Sequence, residues 1–311
     1  MITVNHVLSS YFLSSAIFED LFRRLVAAAP EDISLHTSVR PDRRAALRHY
    51  HRPHREIRLC NPSVVTVHHD PREHHPSLRL SKFLARWREA QQVICLNTLQ
   101  RDLLGGYGIT QVEVIPHGID RKVFPRLAAP RSPSLQGPIR LGLVSRRYQR
   151  GVKGEHRLEA LFRGLDSSRF EFVFAGSGRA EDALRARAAG FPARQWETLP
   201  YRLFGELYRT IDALLILSDF EGGPASLPES LAAGVPVLAR PVGMVVDWLR
   251  DGESGLILDD ATLVEQVASV ADPALRARLN AGAWAASATI PDWADVAARQ
   301  FAIYRRVLEA H

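Results

Sequence analysis

The sequence is short of several residue types, and each shortage excludes something. Of 311 residues only two are cysteine, Cys60 and Cys95, set in apolar runs far apart. A disulfide framework or a structural zinc site takes more than that, so a reducing compartment is expected. No run reaches the roughly 18 apolar residues of a membrane span. The N-terminus lacks the basic, apolar and small-residue order of a secretory signal. Together these absences predict a soluble, cytoplasmic protein. Lysine is scarce too: Lys82, Lys122 and Lys153 are the three present.

What is there suits a folded chain of two domains. Apolar residues make up 46% and charged residues 24%, enough to bury a sizeable core and too few charges for disorder. The net charge of +6 is unevenly placed. Residues 1–126 hold 18 Lys and Arg against 12 Asp and Glu, and the remainder holds 22 of each sign. An excess confined to the first part implies an anionic partner there: a phospholipid surface, a phosphorylated acceptor or a nucleic acid. General solubility is the plainer reading. No nucleic-acid module or clustered aromatic-basic motif is present, so nucleic acid is excluded as a partner.

Short apolar runs alternate with longer amphipathic stretches, the pattern of parallel α/β folds. The first part reads as strands at Ile2–Leu8, Ile33–Thr37, Val64–His68, Val93–Leu96 and Val112–Ile115, with helices at Ala16–Ala29, Leu78–Ala90 and Leu99–Gly105. Leu127–Pro138, rich in Pro, Ser and Gly, reads as a linker. A second series follows, with strands at Ile139–Val144, Phe170–Ala175, Ala213–Leu217, Val235–Ala239 and Gly255–Leu258, and an amphipathic helix at Trp293–Ala310 closes the chain. The expected division is a domain of residues 1–126 and a domain of residues 127–311. Ser77–Ala90 sets four basic residues beside Leu78, Leu80, Phe83, Leu84 and Trp87, which fits either a peripheral membrane helix or a helix packed on a sheet.

Ligands of open α/β sheets bind beyond the carboxyl ends of strands. The richest loop in such a place runs from Ser218 to Val237. Seven residues separate Glu221 from Glu229; Gly222 and Gly223 between them let a ligand approach the backbone. A helix is expected to begin near Leu227, where free amides attract phosphate. Ser226 and Glu229 also fit a capping box, which alone would account for the second glutamate. It leaves Glu221, the glycine pair and the Gly234-Val235-Pro236-Val237 return unexplained.

This stretch resembles the signature of the retaining family 4 glycosyltransferases of the GT-B fold. The resemblance implies two Rossmann-like domains facing across a cleft, the first acceptor-side and the second donor-binding, with residues 293–311 crossing back to the first. It implies that Glu221 contacts the donor sugar, that Glu229 holds the nucleotide ribose, and that Gly222, Gly223, Ala225, Ser226 and Leu227 offer amides to the diphosphate. Val144-Ser145-Arg146-Arg147 and Lys153-Gly154 stand where the family carries Gly-Arg and Lys-Gly. Arg146, with Arg147 as the alternative, and Lys153 would neutralise the diphosphate, which gains charge as the glycosidic bond breaks. Gly176, in Ala175-Gly176-Ser177-Gly178, resembles the family's turn near base and diphosphate, and Val114–Asp120 the phrase that ends its first domain. His68, after a strand of the first part, aligns with a histidine near sugar and acceptor, where an imidazole can bond a hydroxyl. The family's first strand ends in a glycine-rich loop; here Ser9 and Ser10 follow Leu8, and their hydroxyls would replace part of those contacts.

The expected activity is transfer of a sugar from a nucleotide diphosphate sugar to an acceptor hydroxyl with retention. The chain has no Asp-x-Asp pair, the metal-holding device of the other common glycosyltransferase fold. No metal or cofactor is therefore expected, the nucleotide sugar being co-substrate. The seven histidines between His49 and His75 show no metal-ligand spacing. The acceptor would be a glycan, a lipid-linked or a small molecule, with peripheral membrane contact through the basic first domain. A nucleotide-sugar epimerase or phosphorylase of the same fold and a non-catalytic nucleotide-sugar-binding protein are the competing readings.

Overall fold

The computed structural model describes residues 1–8 and 16–311, with the side chains of Ala16 and Ile17 left aside. Ser9 and Ser10 lie outside the described residues. The chain forms two compact units, residues 1–118 with 291–311, and residues 119–290.

The first unit is built on a parallel sheet of six strands: β1 (Ile2–Val7), β2 (Ile33–Ser38), β3 (Leu47–Tyr50), β4 (Ser63–Val67), β5 (Gln92–Cys95) and β6 (Val112–Val114), in the order β2-β1-β3-β4-β5-β6. The second has its own six: β7 (Ile139–Val144), β8 (Phe170–Ala175), β9 (Ala193–Trp196), β10 (Ala213–Ile216), β11 (Val237–Ala239) and β12 (Gly255–Ile257), in the order β12-β11-β10-β7-β8-β9. Both sheets are parallel throughout, flanked by helices, and Rossmann-like. Helices cover both faces of such a sheet, so its strands read as largely apolar runs, as FEFVFA of β8 does with every residue buried and its one charge, Glu171, paired with Arg194.

β3 and β9 escape the sequence reading because LRHY and ARQW carry too few apolar residues to mark a strand. All four residues of β3 are nonetheless buried. Arg48 is tolerated because its guanidinium donates to the carbonyls of Asp42, Asn61 and Arg43. The last helix, Trp293–Glu309, belongs to the first unit; Asp292 and Asp295 form its capping box, and Val296, Phe301, Tyr304 and Val307 pack with Val4, Leu25, Leu47 and Ile94.

Two expectations are corrected. Leu127–Pro138 is not a free linker but part of the second unit. Arg131 donates to the carbonyls of Tyr208, Arg209 and Ile211, Asn280 and Arg276 donate to Arg131 O and Ser134 O, and Trp284 Nε1 donates to Leu127 O. These bonds fix backbone that its composition leaves irregular. Ser77–Ala90 is a short 3₁₀ turn, Leu80–Lys82, and a helix of six residues, Leu84–Glu89. Leu78, Phe83 and Trp87 are buried in the first unit, which uses up the apolar stripe a bilayer would need. No described helix is long and apolar enough to cross a membrane.

Candidate functional site

In the second sheet the strand order reverses between β7 and β10, and a crevice beyond their carboxyl ends is the expected ligand site. The loops after these two strands carry Arg146, Lys153 and Glu221. Lys153 Nζ lies 2.5 Å from Glu221 Oε1, and the Ser218 hydroxyl donates to the same oxygen at 2.6 Å. Both charged side chains are largely shielded, at 11% and 12% exposure, so neither is an ordinary surface charge.

The approach of the two loops is fixed by backbone. Gly154 sits at φ +76°, and a Cβ there would come within 2.0 Å of Leu217 O. Only glycine fits against the end of β10 at this point. Asp219 N donates to Val152 O at 3.0 Å. Arg157 binds Leu217 O at 3.0 Å and pairs with Asp219 and Asp260, tying the same segment to the helix Glu155–Gly164. Gly243 lies against the other side of the glutamate loop: a Cβ at its φ of +53° would meet Glu221 O and Gly222 O at 2.9 Å.

The two arginines after β7 have different surroundings. Arg147 is taken up by Glu155, Glu181 and Asp182. Arg146 is exposed, its guanidinium 5.5 Å from the centre of the Tyr148 ring, which Arg150 and Lys153 also approach, at 4.9 and 5.6 Å. Tyr148 thus has three cations within 6 Å of its ring centre. Ser145, which stands where the resemblance has glycine, is held by the buried Arg179, which donates to its carbonyl and hydroxyl at 2.8 Å each. Gly176 lies against the Ser145–Arg146 backbone and donates its N–H to Trp196 O.

Glu229 is buried in the helix Ser226–Ala232, where the Tyr208 hydroxyl donates to its Oε2 at 3.0 Å. The capping box that Ser226 and Glu229 could have formed is absent; Ala225 caps the helix without a side-chain bond. Gly222 is buried, Gly223 half-buried and Ala225 exposed, while Ser226 and Leu227 are buried at the helix start. Tyr208 is fully buried, and that burial, then the neighbouring Glu229, pushes its hydroxyl well above the usual pKa.

His68 belongs to the first unit, Glu221, Glu229, Arg146 and Lys153 to the second. It ends a chain of imidazoles drawn from β1, β3, β4 and the residues after them. His68 Nε2 lies 2.7 Å from His51 Nδ1, His51 Nε2 3.0 Å from His6 Nδ1, and His6 Nε2 3.3 Å from the Tyr304 hydroxyl. Tyr304 lies 2.6 Å from His49 Nδ1, to which the Gln300 amide also donates. That amide makes His49 Nδ1 an acceptor, so Tyr304 donates to it as well. Followed outward, this proton order has His6, His51 and His68 each donating through Nε2, which leaves Nδ1 as the acceptor nitrogen of His68. Burial holds all four rings neutral: desolvation, then the neighbouring histidines, depress His6, His49 and His68 well below the usual value, and desolvation, then Arg52, brings His51 to about 3. The ring nitrogens of His6, His49 and His51 lie within 4.8 Å of one another, close enough to ligate a metal ion. They are already engaged in the hydrogen bonds above, and no orphaned ring nitrogen among these three calls for one.

Residues missed by sequence reasoning are those that hold the named ones. Ser218, three positions before Glu221 and next to the strand end, carried a positional signal. Tyr208 and Arg179 carried none, since they reach the site from helices and turns distant in sequence.

Residues 136–283 match the family described as glycosyl transferases group 1. A D-inositol 3-phosphate glycosyltransferase of Thermomonospora curvata is 29% identical over 277 residues, covering 80% of this chain and 60% of its own length. The chain spans less than two thirds of the length of the curated relatives it matches. Among solved structures, a sucrose-phosphate synthase of Thermosynechococcus elongatus superposes with a TM-score of 0.80 at 16% identity, covering all of both chains. HepE of Anabaena, solved with UDP and glucose, gives 0.71 at 14% identity over 98% of this chain and 100% of its own. At such identities these likenesses show the fold, which is that of the GT-B glycosyltransferases.

Proposed function

We propose, on the premise that residues 136–283 make this chain a member of the group 1 glycosyl transferases, that it moves a sugar from a nucleotide diphosphate sugar to an acceptor hydroxyl. The observation that carries the reading is the meeting of Lys153, Ser218 and Glu221 at the β7/β10 switch point. An acid shielded from water and fixed by a lysine and a hydroxyl is suited to orient sugar hydroxyls. Lys153, with Arg146 beside Tyr148, supplies fixed positive charge for a departing diphosphate. Glu229 takes the ribose diol, and the backbone of Gly222 to Leu227 faces the diphosphate. Gly176 borders the same phosphate turn, and Arg147 supports it through Glu155, Glu181 and Asp182.

In this reading the acceptor hydroxyl attacks on the face the diphosphate leaves, so configuration is retained. A diphosphate oxygen receives the proton, and the cations make a metal unnecessary. His68 accepts a hydrogen bond from a sugar or acceptor hydroxyl through Nδ1. Free Cys60 and Cys95 fit a reducing, cytoplasmic setting.

A thermal-shift screen across UDP-, GDP-, ADP- and TDP-sugars tests the donor side. A ligand at 100 times its Kd adds about 2.7 kcal/mol of stability. One nucleotide class raising Tm, with the shift lost in Lys153→Ala, is expected; no shift with any of the four would end the assignment. With a responding donor, the anomeric proton coupling of the product reports retention or inversion, and activity in excess chelator reports the need for metal.

A further inference from the structure

A cavity of about 580 Å³ opens at the carboxyl ends of β1, β2 and β3 in the first unit, walled by Arg40, Arg43, Arg52 and Arg55. Val7 and Leu8 continue β1 into its apolar lining, and Glu56 is its single acid. β1 and β3 are the neighbours between which this sheet reverses its strand order, so the cavity occupies the ligand position of an open α/β sheet.

The walls are built, not loose. Asn5, fully buried on β1, accepts from Asp42 N at 2.8 Å and donates to Ser38 Oγ at 2.8 Å, and Ser38 Oγ donates to Arg40 O at 2.5 Å. The buried Arg48 donates to Asp42 O and Arg43 O from beneath. Three polar side chains thus fix the loop that presents Arg40 and Arg43. Opposite, buried Pro53 opens the 3₁₀ turn that carries Arg55. The loop's own acid, Asp42, is turned to His36 at 3.2 Å and to Arg44 N at 2.9 Å. Among the described residues none of Arg40, Arg43 and Arg55 has an ion-pair partner.

Arg40, Arg43 and Arg55, without ion-pair partners among the described residues, concentrate positive charge on one cavity, and an anion there would offset it. Guanidinium forks match tetrahedral oxyanions bidentately, and their number suits a doubly charged group better than a single carboxylate. Burial raises the pKa of Glu56, the one acid of the lining.

We propose that this cavity binds a phosphate group carried by the acceptor, resting on the transferase reading above. The phosphate can be borne by a soluble molecule or by a lipid headgroup, and the test separates the two. Inorganic phosphate is titrated into the full chain at low salt and followed by ³¹P line width. Saturable binding is expected, weakened at least about tenfold by Arg40→Gln with Arg43→Gln, the loss of charge-assisted bonds. Both are exposed, so Tm should hold; if it falls, Arg55→Gln serves as the second variant. Phosphate binding that is absent, or equal in wild type and every folded variant, overturns the proposal. Sedimentation with phosphatidic acid but not phosphatidylcholine vesicles, lost in the variants, names the lipid source. Phosphate binding without sedimentation names a soluble one. Titration with UDP, GDP, ADP and TDP reads the second unit separately: failure of all four while phosphate binds removes the transferase reading and not the anion site, and binding of one of them without phosphate removes only the site.

Discussion

Lys153 Nζ stands 2.5 Å from Glu221 Oε1 although 68 positions separate the two residues. The pair joins the loop after β7 to the loop after β10, and Ser218 completes it on the same oxygen. With both side chains near one-tenth exposed, removing one partner leaves the other charge partly buried and uncompensated. Lys153→Met and Glu221→Gln should each destabilise by about 1–3 kcal/mol, with the double variant losing less than their sum. Urea melts of the four proteins measure the coupling; strict additivity would mean that the pair is incidental.

Gly154→Ala should be far more damaging than its size suggests. The added methyl meets Leu217 O at 2.0 Å and needs φ of +76°. The β7 and β10 loops would have to separate, at a cost of at least about 3 kcal/mol. A loss below about 1 kcal/mol in urea unfolding would show that the loops move apart easily.

Stability should fall on the acid side through the histidine chain. His6, His49 and His51 are at most 5% exposed and held neutral. In the unfolded chain they take up protons near pH 6.5, whereas folded His51 does so only near pH 3. Their contribution is therefore complete above about pH 6.5 and is lost as pH falls from there toward pH 3. His51 alone accounts for a loss on the order of 4 kcal/mol across that window. His51→Asn should flatten the curve of unfolding free energy between pH 6.5 and 4; an unchanged slope would remove His51 as its source.

Tyr208→Phe deletes the hydroxyl that donates to Glu229 Oε2 from a fully buried ring. If Glu229 holds the ribose, donor KM should rise about tenfold with kcat nearly unchanged, the mark of lost binding common to ground and transition states. A fall in kcat at constant KM would instead assign Glu229 to the chemical step.

The strands β7 and β8 were legible to the residue because each is a largely apolar run, broken by one charge, Arg140 or Glu171, and buried at all its other positions. β3 was not, since half of LRHY is polar and its burial depends on carbonyl partners for Arg48 and on Tyr304 and Thr66 for His49. The Leu127–Pro138 segment looked free for the same reason: its anchors are Arg276, Asn280 and Trp284, about 150 residues later. In the site, Glu221 and Lys153 were readable from motif and scarcity. The histidine chain was not, because its members come from three strands and share no spacing.

If the Lys153–Glu221 pair serves sugar transfer from a nucleotide donor, its removal acts on the rate of that transfer. The most direct measurement is the rate of nucleoside diphosphate release and product formation by wild type, Glu221→Gln and Lys153→Ala, with whichever donor shifts Tm. A fall of about a hundredfold or more in kcat/KM is expected for each, roughly 3 kcal/mol of barrier, in protein that remains folded at the assay temperature. Rates within about threefold of wild type in both variants, less than 1 kcal/mol, would contradict it.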